Sequence, residues 1–161
     1  MVANIKLQRI FLSDVLIFGL IYLIPTISHL LAFPLYLLDP MRLAILGSAF
    51  FMSEKWNAYL LALTLPLFSY FVGGHPVVWK SIIIGVELTA NLIILSVLER
   101  EIGQTFVTIL LSIVVSKVEY YALKYGLITL GLLERELLAT ELVWQISVAL
   151  LISAVYVFVR R

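Results

Sequence analysis

Six apolar stretches fill most of this chain, and the polar residues that interrupt them fall largely on one side of the pattern. A helix that crosses a bilayer needs roughly 17–25 mostly apolar residues. The first stretch predicts a helix from about Ile10 to Leu31, kinked in its last third by Pro25, which removes a backbone donor and clashes with the preceding turn. The segment Ala32-Phe33-Pro34-Leu35-Tyr36-Leu37-Leu38-Asp39-Pro40 carries two prolines but is too apolar for a free linker, so it is expected to lie over the protein at the interface. A second helix, about Met41 to Ser53, is short for a span. The third, about Trp56 to Val72, ends at Gly73-Gly74-His75-Pro76, where two glycines and a proline demand a sharp turn. The fourth covers about Val77 to Leu98 and the fifth about Ile102 to Lys124. A loop through Glu134-Arg135-Glu136 then leads to the sixth, about Glu141 to Val159. The pattern predicts an all-α integral membrane protein, a single domain over 1–161 built as a bundle of six transmembrane helices.

Composition sharpens this picture. Only 13% of residues are charged, against about 25% in soluble domains, and the mean hydropathy is +1.10. No polar stretch is long enough for a soluble domain, and no small-x-small cleavage site follows the first apolar run, which therefore reads as a span. Cysteine is absent, which excludes disulfides and thiolate chemistry, and with His29 and His75 as the two histidines no metal site is expected. A net charge of +1 points away from a nucleic-acid partner.

Lys and Arg orient the bundle. Lys6, Arg9, Lys55, Arg100, Arg160 and Arg161 flank helix ends on one side, whereas Arg42, Lys80, Lys117, Lys124 and Arg135 lie on the other side or inside spans. Both termini are expected in the cytoplasm, and the second group in the outer half. The chain shows no internal repeat, which argues against a transporter complete in one chain.

The candidate chemistry sits in that outer half. Lys80, Ile84, Glu87 and Asn91 fall at helical spacing, so three polar groups share one stripe of the fourth helix. An ionised group at membrane depth costs at least ~2.5 kcal/mol, so each is a candidate for function, the bland reading being a structural ion pair. On the fifth helix Lys117, Tyr120, Tyr121 and Lys124 share a face, with Lys117 about two turns inside the outer boundary as a counter-ion to Glu87 or an anchor for a ligand anion. Glu119 points elsewhere. Arg42, in the first turn of the second helix, either pairs with Asp39 or grips a carboxylate or phosphate. His75 is placed at the outer mouth beside Trp79 and Lys80, while His29, Asp14 and Trp144 are read as structural. No catalytic signature is present, and catalysis, cofactors and metals are not expected.

Taken with Phe33-Pro34-Leu35-Tyr36-Leu37-Leu38-Asp39-Pro40-Met41-Arg42, Ala62-Leu63-Thr64-Leu65-Pro66-Leu67-Phe68-Ser69 and Gly74-His75-Pro76 with Lys80, the chain resembles the substrate-binding S components of energy-coupling factor (ECF) transporters, of an uncharacterised subfamily. The resemblance implies a multi-pass protein of a prokaryotic cell (inner) membrane. It also implies a small, vitamin-like substrate, here anionic or zwitterionic, bound in an outer-half pocket by Arg42, His75, Trp79, Lys80, Glu87, Asn91, Lys117 and Tyr121. Uptake would rest on a transmembrane coupling protein and two ATPase subunits. The family's small-residue docking motif is missing from the first helix, and Ala58-x-x-x-Ala62 on the third helix takes its place as the expected docking face. The competing expectation is a non-transporting scaffold such as the six-helix proteins of the rod-shape machinery. A channel subunit would want a polar stripe along a whole helix, and the inner halves read as almost wholly apolar.

Overall fold

The computed structural model describes residues 14–23, 35–52, 55–74, 77–134, 136–138 and 141–159. Among them all regular structure is helical: α1 (Asp14–Leu23), a 3-10 turn (Leu35–Leu38), α2 (Pro40–Phe51), α3 (Lys55–Gly73), α4 (Val78–Glu101), α5 (Thr105–Thr129) and α6 (Leu142–Val159). Three of these, α3, α4 and α5, are long and apolar enough to cross a membrane, and α1 and α6 are shorter apolar helices. With 12 residues, α2 is about 18 Å long, well short of a hydrocarbon core of ~30 Å.

Helix ends follow local chemistry. Pro40 opens α2, where its missing N–H costs nothing and its fixed φ suits the first turn. α3 closes with the Gly74 N–H on the Tyr70 carbonyl, Gly74 taking φ 67. α5 was expected to end near Lys124 but continues to Thr129. No proline interrupts Tyr125-Gly126-Leu127-Ile128, and one helical glycine costs only about 1 kcal/mol, so the helix runs on until Gly131 turns the chain at φ 73. That extension places Lys117 about 18 Å from the end of its helix, three turns rather than two.

α4 packs between α3 and α5, α2 lies against α3 and α4, and α6 against α5. α4 and α5 run antiparallel through the short turn at 102–104. For orientation, the upper end is the one where α2 and α4 begin and α5 finishes. The core between the helices is built from Ile45, Leu46, Leu61, Leu65, Leu88, Leu92, Ile109, Ile113 and Ile152.

The closest backbone approach lies between α3 and α4. Pro66 inside α3 has no N–H to give the Ala62 carbonyl. That carbonyl instead faces Gly85, where an added Cβ would stand 3.4 Å from it and 3.8 Å from Leu63 Cα. Small residues let the helices close here, and Ala58 and Ala62 are 1% and 0% exposed. Their expected role as a docking face for another subunit is therefore corrected: the pair packs α3 into its own bundle and offers no surface.

Gly85→Leu should drive α3 and α4 apart and cost about 1–3 kcal/mol, read as a lowered unfolding midpoint in detergent, while Gly85→Ala, at ordinary contact distance, should be nearly neutral. Equal midpoints for Gly85→Leu and the parent chain would show that the approach is not tight.

Candidate functional site

The buried polar centre is assembled from α2, α4 and α5. Arg42, the third residue of α2, is 1% exposed. Its Nε donates to Asp39 Oδ2 at 2.8 Å, Nη1 to Ser116 Oγ at 3.1 Å, and Nη2 to Glu87 Oε1. Lys117 closes the arrangement from α5, its Nζ 3.1 Å from Glu87 Oε1 and 3.5 Å from Asp39 Oδ2. It also stands 5.4 Å from the centre of the Tyr120 ring, within cation–π range. Two cations face two carboxylates, so the quartet carries no net charge and each member has an opposite charge beside it.

Asp39 reaches both cations because of its backbone. It sits at φ 49, ψ 57, in the left-handed region that costs a non-glycine residue about 1 kcal/mol or more and that aspartate tolerates better than most. It precedes α2 in the cap position but makes no side-chain cap bond there; the carboxylate is turned to Arg42 and Lys117 instead.

Below the quartet the polar contact continues along the α4–α5 seam. Asn91 Nδ2 donates to Ser112 Oγ at 3.0 Å, and Ser112 and Ser116 each donate to the carbonyl three residues back. Thr108, Ser112 and Ser116 repeat every fourth residue on the buried face of α5. Thr108 lies one turn from the lower start of α5, so the expectation of an almost wholly apolar inner half is corrected along this seam. Small hydroxyl residues at this spacing let two helices approach closely, which is why the fully buried seam forms.

The upper end is tied by longer-range bonds. Tyr121 Oη donates to Gln145 Oε1 at 2.6 Å, joining α5 to α6, and Trp144 Nε1 donates to the Leu37 carbonyl at 2.8 Å, joining α6 to the 3-10 turn. Lys124 is 5% exposed and its Nζ donates to the Leu137 carbonyl at 2.8 Å.

Of the residues singled out in the sequence, Arg42, Glu87 and Lys117 converge directly, and Asn91 sits one turn below Glu87 without joining the ion pairs. Arg42 takes Asp39 and Glu87 together, where the sequence posed Asp39 against an external anion. Tyr121 serves the α5–α6 contact, Lys80 stands at the upper end outside the quartet, and Trp79 is 42% exposed. His75 lies outside the described residues. Ser116, Ser112 and Thr108 went unnoticed in the sequence, although their four-residue repeat was visible there. Among the described residues no three His, Cys, Asp or Glu side chains cluster as a metal site would require.

No protein-family model, curated protein sequence or solved structure matches the chain.

Charge balance sets the mutational pattern. Glu87→Gln leaves one buried positive charge in excess and Arg42→Met one negative; each should cost about 3–5 kcal/mol, as broken buried pairs do. The double variant returns the group to neutrality, with Lys117 still beside Asp39, and should recover much of the loss. Unfolding midpoints of the four proteins form the cycle, and simple additivity of the two losses would show that the charges act independently.

Proposed function

We propose that the chain is the substrate-binding S component of an ECF-type importer in the inner membrane of a prokaryote. In this reading the chain crosses the bilayer six times, the short α2 making its pass together with the turn before it, with both termini in the cytoplasm, and the upper end faces outward. It captures a small anionic or zwitterionic metabolite from outside and depends on a coupling protein and two ATPase subunits for uptake.

The observation that carries the reading is the depth of the polar groups. The start of α2 meets Glu87, nine residues into α4, so it lies about 13 Å below the upper end of that helix. Lys80 of α4 and Tyr121 and Lys124 of α5 lie nearer that end and make up a polar zone above the buried charges. Its floor is the quartet. Below, Leu61, Leu65, Leu92, Leu95 and Ile109 close the core. Charged and aromatic groups gathered toward one end above a packed core suit capture from that side, and a chain with no repeat has no evident second state with which to release its load inward.

A second reading, a non-transporting scaffold like those of the rod-shape machinery, draws support from one feature: every charge of the quartet is already paired within the chain. Such a network holds three helices in register without any ligand.

The two readings part on binding. Native mass spectrometry of the gently purified chain should find a small molecule bound at one per protein. Liposomes holding the chain alone should bind that molecule without concentrating it, and accumulation should appear only with an ATP-driven module. Accumulation by the chain alone would overturn the S-component reading; absence of any bound or bindable small molecule would favour the scaffold.

A further inference from the structure

The charges of the upper end divide into two sets. The quartet of Asp39, Arg42, Glu87 and Lys117 sums to zero and satisfies itself. Two further lysines stand above it. Lys80 lies in the first turn of α4, and Lys124 lies on α5, about 8 Å from that helix's upper end. α4 and α5 are antiparallel and Glu87 meets Lys117 at 3.1 Å, so Lys80 and Lys124, each seven residues further toward the upper end on the same helix faces, stand across the same seam two turns higher.

Neither lysine has a carboxylate within ion-pair distance among the described residues. Lys124 is the more telling of the two. The residue is 5% exposed, and its ammonium, with three donors, meets one neutral carbonyl, that of Leu137, at 2.8 Å. Glu136, beside that carbonyl in sequence, is exposed and makes no ion pair with Lys124. A desolvated ammonium next to a like charge is an unfavourable arrangement, relieved by an anion placed between the two.

We infer that Lys80 and Lys124 form the seat for the anionic group of the ligand, a carboxylate or phosphate, while the quartet beneath is a structural floor that does not exchange its partners. The inference rests on the proposed capture function, and it moves the anion from Arg42 and Lys117, the two anchors the sequence offered, to the pair above. The chemistry of the seat is that of a compact oxyanion, available from a soluble metabolite or from a lipid headgroup, and the seat is assigned to the soluble source because Lys124 is buried inside the bundle rather than displayed on its lipid-facing side.

The test uses the full chain in nanodiscs of phosphatidylcholine, with inorganic phosphate and succinate as probes against chloride at equal ionic strength. Either oxyanion should raise the unfolding midpoint well beyond chloride, and Lys80→Met or Lys124→Met should each raise the half-effect concentration at least tenfold. In anion-free buffer Lys124→Met should unfold no lower than the parent, because it loses a repulsion. Lys117→Met, by contrast, should lower the midpoint without moving the half-effect concentration. Three results would overturn the seat: midpoints that follow ionic strength alone; stabilisation by phosphatidylglycerol nanodiscs but not by the soluble anions, which makes a headgroup the occupant; or a Lys124→Met protein that is less stable without anion and responds to anion as the parent does, which reduces Lys124 to a clasp on the Leu137 carbonyl. If a co-purified metabolite is retained unchanged by both lysine variants, the seat fails while the capture function stands. If no metabolite is bound and no oxyanion stabilises, both fail.

Discussion

Arg42 is the constraint on which the upper half of this bundle depends. A guanidinium 1% exposed to solvent is tolerable only when its donors are matched, and here the matches come from three separate elements: the chain before α2, α4 and α5. Removing such a charge from water costs several kcal/mol before any pairing. The compensation is directional, so the three elements are held at fixed heights and rotations relative to one another. Leucines packed in the same place would give attraction without that register. The network is thus better understood as a device for position than as a source of net stability.

The height it sets has consequences for the rest of the chain. Because α2 is short and begins level with Glu87, the 3-10 turn before it is carried below the upper ends of α4 and α5. Irregular backbone at such depth must be covered by protein, since lipid offers no hydrogen bonds. The Trp144 indole meets that need at the Leu37 carbonyl, and the Tyr156 hydroxyl, donating to the Leu43 carbonyl at 2.9 Å, does the same work in the first turn of α2. α6 therefore contributes more than apolar surface: two of its aromatic residues supply donors, Trp144 to the 3-10 turn and Tyr156 to the short second helix. The same logic explains Asp39, whose left-handed backbone is accepted because it brings a carboxylate to the two cations.

Much of this was legible in the sequence, and the gaps have a physical origin. Hydropathy reports depth along a helix well, so Glu87 and Lys117 stood out as charges where lipid would forbid them, and their opposite signs at similar depth implied contact; Arg42, at the start of a short helix, read as a rim residue for Asp39 or a ligand, and its burial against Glu87 did not show. Hydropathy says nothing about which way a helix is rotated or which neighbour it faces. Ala58 and Ala62 illustrate the loss: a small-residue motif marks close helix packing, but the motif alone does not say whether the partner is another subunit or, as here, the Gly85 turn of the same chain. Thr108, Ser112 and Ser116 were passed over because single hydroxyls in an apolar helix usually satisfy themselves on the preceding turn and cost little, as Ser112 and Ser116 do, although the buried Thr108 hydroxyl finds no partner among the described residues. Only their four-residue repeat carried information. The end of α5 was misplaced for a related reason, since Lys124 looked like an interfacial lysine and is in fact buried a turn and a half inside the helix.

That misplacement leads to the main functional consequence. A lysine at a helix end can reach water, and its charge then has no bearing on what binds nearby. The same lysine moved inward, with a single carbonyl for company, becomes a charge in search of a counter-ion, while the more conspicuous cations below it are already neutralised by Asp39 and Glu87. Conspicuousness in a sequence and availability in a fold are different properties. Arg42 and Lys117 are the strongest charge signals in the chain, and they are the least able to accept a ligand, because any anion must first displace a carboxylate held by two partners. An electrostatic site is defined by the charge left over after the protein has paired its own, and in the upper end of this bundle that remainder lies with Lys80 and Lys124.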